Sequence, residues 1–343
     1  TAKSDSPLRD FIFDIPKAES HVHIPGCVTP ELLLSLADRN KITLPYDSPE
    51  DVELFIAESY GPDLSSFIIV LDQISSVLRT AEDYYDTTYD YLVRSSRQNV
   101  KYVEAYYGPQ FATDIGLPLS EQLEGMNAAL RDARSEFDID GKWIMSFRRD
   151  RPVEEALEIL EQMENHRENV VGVGLSELDT PDYPQRFKPV FDRAGELGYK
   201  RTTHVDLDEE DGLNRVWSAI NDLKVDGRID HGVDGLVDER FVEYLRGSGT
   251  ILAVCPTFFF GRSPETSPYF QAVCDAVRFM LDNNIGVTLN TDDPGIFGLN
   301  YLADTFLLTQ EYLGLTKAEI VRLARYSFDI LWIDQQKKDT YIA

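Results

Sequence analysis

Five histidines serve a chain of 343 residues, and His21 and His23 sit together in the short stretch KAESHVHIPG. His204 lies near the end of KRTTHVD, His231 near the end of GRIDHG, and the pair Asp292 and Asp293 follows GVTLNT. Imidazole and carboxylate groups are the side chains that ligate divalent cations. Three imidazoles and a carboxylate converging on one point make a cage for such an ion, most simply zinc, with a coordination position left open for water. A metal held there lowers the pKa of its bound water toward neutrality, giving hydroxide as a nucleophile. A single histidine is more often a core residue with a satisfied hydrogen bond. Here four of the five share one geometric position, which makes the cage the stronger expectation. His231 follows its own acid, Asp230, and is expected to orient the water or take its proton. His166, in MENHREN, reads as an ordinary solvent-facing residue.

The shared position comes from the elements around these residues. Strand-like runs fall at 18–24, 100–107, 142–148, 170–176, 200–206, 227–232, 250–256 and 286–292. Amphipathic stretches such as LSEQLEGMNAALRDARSEF and SPYFQAVCDAVRFMLDNN separate them. Eight strands alternating with helices over this length predict an α/β fold of the (β/α)8 TIM-barrel type, whose chemistry sits at the C-terminal ends of the strands. A doubly wound sheet would show a glycine-rich phosphate turn after the first strand, and HVHIPGCVTPE has none. Side chains two apart on a strand share a face, so His21 and His23 project together at the end of the first one. The long stretch from about 25 to 99 reads as a helical, lid-like insertion over that end, within one domain spanning 1–343.

Composition narrows the partners. With 60 acidic residues against 33 basic ones the net charge is −27, which repels nucleic acid and anionic membranes. Cys27, Cys255 and Cys274 form no CxxC pair, and neither a membrane span nor a secretory leader is evident, so a cytoplasmic protein is expected.

In this order and spacing, IPKAESHVHIPG, TTHVDL, IDHG, CP and LNTDDPGIFG resemble the adenosine and adenine deaminases of the amidohydrolase superfamily over roughly Phe13 to Gly298. The resemblance implies one zinc held by His21, His23, His204 and Asp292, with His231 positioning the hydroxide and Asp293 hydrogen-bonding a purine ring. It implies attack on the carbon that bears the exocyclic amine, with loss of ammonia from an adenine-like purine or related amino-substituted heterocycle. Iron or manganese are the alternative metals. Gly26, in the first motif, would lie against that substrate. GLSELDTP is more similar to the adenine-deaminase segment than to the adenosine-deaminase one, which turns Glu177 toward the ligand.

Three positions depart from the family pattern. Leu207 stands where the family carries the glutamate that protonates the ring, and leucine has no proton to give. Asp206, one residue earlier and on the face of His204, is the expected substitute acid, whereas Asp208, Glu209 and Glu210 are expected to cap the next helix. Pro25 replaces an acidic residue, and Phe258, Phe259 and Phe260 replace small polar ones, with core packing expected ahead of pocket lining. A catalytically silent purine-binding protein and an amidohydrolase acting on a different bond are the alternatives.

Overall fold

The computed structural model describes residues 6–59, 64–178, 180, 182–207 and 211–342. Eight parallel strands follow in chain order: β1 (Lys17–Glu19), β2 (Val100–Tyr107), β3 (Asp140–Arg148), β4 (Val170–Ser176), β5 in two pieces (Lys200–Arg201 and His204–Val205), β6 (Arg228–His231), β7 (Ile251–Val254) and β8 (Val287–Leu289). Neighbours in sequence are neighbours in space from β1 to β8. The ring closes beyond β1, where His23 N–H donates to Asp292 O at 2.8 Å and Asp292 N–H returns to His21 O at 3.1 Å. Each strand is followed by helix, as a barrel requires.

Regular pairing covers less than the apolar runs suggest. β1 ends at Glu19, and 20–24 continue only through isolated bridges, Val22 to Asp292 and His23 to Tyr106. β5 breaks at Thr202 and Thr203, whose hydroxyls bond Asp230 and Tyr183. In the two strands that carry three of the expected ligands, buried side-chain bonds therefore supplement the backbone pairing. Glu19 Oε1 accepts the N–H and hydroxyl of Thr291 at 2.9 and 2.6 Å, and Asn290 Oδ1 accepts the Ser20 N–H at 3.0 Å. These buried bonds fix the register between the first and eighth strands, because each group left unpaired would lose its hydration without compensation.

At the opposite end of the barrel an Arg228–Glu104 ion pair is fully buried. The Arg228 guanidinium lies 4.1 Å from the Trp332 ring, and Glu104 also accepts the Trp332 N–H at 2.7 Å. That end is filled and leaves the strand C-termini as the open face.

Between β1 and β2 run the helices Pro30–Arg39, Pro49–Ser59, Leu64–Ser75 and Ala81–Ser96. The third brings Leu64, Phe67, Ile68 and Leu71 over the strand ends. An ion pair of 3.5 Å from its Asp72 to Arg148, at the end of β3, ties it to the barrel. No helix among the described residues is long and apolar enough to cross a membrane. Cys27, Cys255 and Cys274 are buried and unbridged.

Candidate active site

The expected ligands meet. Ring or carboxylate atoms of His21, His204, His231 and Asp292 all lie within 4.8 Å of one another. His23 joins them: its Nε2 is 3.1 Å from His204 Nε2 and 3.4 Å from Asp292 Oδ1. His21 Nε2 is 3.2 Å from the same oxygen, a charge contact outside hydrogen-bond geometry, and this buried atom has no hydrogen-bond partner among the described residues. Five polar side chains pointing their donor atoms at one another in the protein interior require a common partner, and a divalent cation is the one that suits imidazole and carboxylate together. The residues fit such an ion, and the site is a divalent-metal site.

Protonation favours the same partner. Burial drives His204 well down, with His21, His23 and His231 adding to the effect, and burial drives His23 to about 3 against the pull of Asp292. His231 is lowered likewise, first by burial and then by His21. These rings are neutral and offer lone pairs, the form a metal binds. Burial alone would also lower His21, but Asp292 and Asp230 outweigh it and raise the ring above its usual value. Asp292 stays ionised because His21, His231 and His23 overcome its burial.

A second layer aims these groups. His21 Nδ1 faces Ala253 O at 3.3 Å and Asp230 Oδ1 at 3.6 Å, which turns Nε2 toward the cluster. Tyr106 and Thr202 donate to Asp230 Oδ2 at 2.5 and 2.7 Å, and Tyr106 stacks on His23 with ring centres 5.0 Å apart. His231, Asp292 and Glu177 all hold left-handed backbone, with φ of 57°, 60° and 72°. Side-chain residues adopt that conformation only where surrounding structure enforces it, and it recurs where a strand end must present a side chain to a site.

Above the cluster opens a cavity of about 630 Å³, lined by His23, His204, His231, Asp292 and Asp293 and walled by Phe67, Phe258, Phe259 and Phe297. Phe67 stacks on Phe297 at 5.5 Å, and Phe259 meets Phe297 edge-on at 5.0 Å. Phe258 and Phe259 therefore line the cavity, where core packing was the stronger expectation. They follow β7 rather than belong to it, so they face the open end instead of the barrel wall. Phe260 is also half-buried but stands outside the lining.

Asp206 lines the cavity beside Leu207. Its Oδ2 pairs with buried Arg149 at 2.6 Å, and its Oδ1 lies 3.6 Å from His231 Nε2. Burial opposes its ionisation, but Arg149 and His231 prevail and hold it below the usual carboxylate range. Asp293 goes the other way, raised first by burial and then by Asp292. Gly26 packs directly against the Asp293 carboxylate. Glu177 lines the cavity too, with its Oε2 buried and without a hydrogen-bond partner among the described residues. Pro25 lies buried in the short turn Pro25–Cys27, and His166 sits in the turn Glu164–His166, outside the cluster. Asp208, Glu209 and Glu210 lie outside the described residues. Sequence reasoning passed over Tyr106 and Arg149. Their signals were faint: a tyrosine inside an apolar strand, and one arginine in the charged run FRRDR.

A closed barrel with a histidine–aspartate cage at its C-terminal face defines the class, the metal-dependent hydrolases. Within it, the adenosine deaminase family model matches residues 16–342, so the chain belongs to that family and is a hydrolase acting on C–N bonds, a metal-dependent deaminase. It is 36% identical over 322 residues to the adenine deaminase of Pseudomonas fluorescens (strain Pf0-1), covering 94% of this chain and 98% of that protein. The crystal structure of an adenine deaminase from Arthrobacter aurescens superposes with a TM-score of 0.86 at 30% identity, over 96% of this chain and 97% of that one. An amidohydrolase from Burkholderia ambifaria with bound Zn shares the fold, with a TM-score of 0.84 at 23% identity over 99% and 92% of the two chains.

Proposed function

We propose that this protein is a zinc-dependent aminohydrolase that removes ammonia from an adenine-like free base. His21, His23, His204 and Asp292 would hold the metal, as their converging atoms suggest. A divalent cation held there would supply Lewis acidity and lower the pKa of water at the site toward neutrality; the related fold with bound Zn supports zinc as that ion. His231, in the same cluster and neutral through burial, takes the proton that the water gives up. Asp206, 3.6 Å from His231, holds that ring in place and stabilises the imidazolium as it forms, while Arg149 anchors Asp206. Asp293 and Glu177 present polar atoms to the ring edge of the substrate, and Gly26 leaves the space that Asp293 occupies. The aromatic wall excludes water from the reacting centre.

The observation that carries the choice of an uncharged aminopurine over a nucleotide is the character of the lining. Arg149 is the sole arginine or lysine among the described lining residues, and Asp206 and the Glu177 carbonyl engage it. A phosphate would bring negative charge into a wall of phenylalanine and carboxylate, an unfavourable transfer. The acidic chain and its unbridged cysteines suit a cytoplasmic enzyme with a small-molecule partner.

Ammonia release by the zinc-loaded protein from adenine, adenosine and adenosine monophosphate tests this directly. Adenine is expected to exceed the monophosphate at least a hundredfold in kcat/KM. Equal rates for the two, or no ammonia from any 6-aminopurine, would overturn the proposal. A purine-binding protein without turnover is the second reading, favoured by Leu207 in the cavity wall; a ligand-induced rise in Tm with no ammonia would identify it.

A further inference from the structure

Hydration of an amino-heterocycle pushes electron density onto the ring nitrogens as the water oxygen adds to the carbon bearing the amine, so a proton must arrive there. The wall beyond β5 does not provide one. Leu207 is apolar, and Asp206 commits Oδ2 to Arg149 and turns Oδ1 toward His231. A different carboxyl enters the cavity from β4. Glu177 is 9% exposed and follows directly on that strand, with its carbonyl held by the Arg149 guanidinium. Its backbone is in the left-handed region, the residue lines the ligand cavity, and its Oε2 has no hydrogen-bond partner among the described residues. A buried acid oxygen kept without a partner loses its hydration for nothing unless a ligand completes it.

We propose that Glu177 is the acid that protonates the substrate ring, acting from the β4 side of the cavity in place of a donor beyond β5. This rests on the deaminase reading above. The amidine unit of an adenine-like ring spreads the developing charge over two nitrogens, so a donor on either side of the ring can meet it. In the addition step the water oxygen bonds to carbon, one water proton passes to His231, and the Glu177 proton passes to the ring nitrogen. In the elimination step the imidazolium returns its proton to the amine, the C–N bond breaks, and ammonia leaves. The carbonyl forms as the hydroxyl proton is taken up by the Glu177 carboxylate, which restores the acid.

The charged groups facing Glu177 are Arg148 at the end of β3, Arg149 and Asp150 just after it, Asp72 from the helix above, and Asp293 beyond β8. Burial lifts the Glu177 carboxyl to about 7, against the pull of Arg148, so the protonated form is populated at neutral pH.

Two measurements decide the role. In Glu177→Gln, kcat is expected to fall by about a hundred to ten thousand fold while KM moves less than about threefold. Glu177→Asp is expected to recover part of the rate, and the loss of wild-type kcat above about pH 7 is expected to vanish in the glutamine variant. A wild type that turns over alongside a Glu177→Gln variant within threefold of it overturns this role and leaves the deaminase reading intact. The second measurement needs no turnover: infrared difference spectra of wild type against Glu177→Gln are expected to show a protonated carboxyl at pH 6 that titrates near 7. A carboxyl already ionised at pH 5 overturns the role even if no substrate has been found; a wild type inactive on every aminopurine overturns the deaminase reading instead.

Discussion

A β-carbon placed on Gly26 would stand 1.7 Å from Oδ1 of Asp293, so the carboxylate occupies the space that any other residue would need. The obstruction is a buried side chain whose own backbone carbonyl is tied to the Ile296 and Phe297 N–H groups, and it has little room to yield. Gly26→Ala is expected to displace Asp293 and to raise KM at least tenfold with metal content unchanged. Steady-state kinetics alongside elemental analysis check this, and loss of the metal would show that the damage reached further.

The cage predicts metal-linked stability. A cation that binds only the folded chain stabilises it by about 2.7 kcal/mol at a hundred times its dissociation constant. Chelation is therefore expected to lower Tm, and one equivalent of zinc to restore it. His21→Ala is expected to lose both the bound metal and the zinc-dependent rise in Tm, because His21 Nε2 is at the centre of the cluster.

Arg149 and Asp206 form a pair in which the arginine is almost wholly buried. Removing one partner leaves the other charged and desolvated, a loss on the order of 3 kcal/mol. Arg149→Met is expected to destabilise by that amount in urea, and adding Asp206→Asn is expected to recover part of it. Strict additivity of the two changes would contradict the pairing.

Lys17 supplies a pH dependence remote from the site. Its ammonium donates to the carbonyls of Ile12 and Ile15 at 2.7 Å each, in a position so buried that its pKa falls from 10.5 to about 7 despite the pull of Asp14. The unfolded chain therefore holds this proton more tightly than the folded one. Between about 7 and 10.5 the unfolded state binds more protons, so this contribution to stability rises with pH and is lost as pH falls through that window. Urea midpoints of wild type against Lys17→Met across this range are expected to differ in slope, with the variant flatter.

Much of the barrel was legible because its middle strands are short, largely apolar runs set between helical patterns. VKYVEAYY and VVGVGLS are the full observed β2 and β4, and LSEQLEGMNAALRDARSEF is the helix Leu119–Phe137 to the residue. Pattern works there because burial on both faces requires it. It failed where regular pairing lapses: β1 stops at Glu19, and β5 breaks at two threonines whose hydroxyls bond Asp230 and Tyr183. The clustering of the histidines and Asp292 could be expected from their shared place at strand ends. Arg149 could not, because its burial depends on Asp206, far along the chain, and no local periodicity encodes that.

The break in β5 splits the ladder into two arcs, one running from β1 to the first piece of β5 and the other from its second piece to β8. His21 and His23 extend the first arc, whereas His204, His231 and Asp292 sit on or just beyond the second. An ion gripping residues from both would act as a rivet across the seam. Its departure should then be limited by how often the two arcs part, and tightening the seam far from the cage should slow the escape of the metal without altering a single ligand.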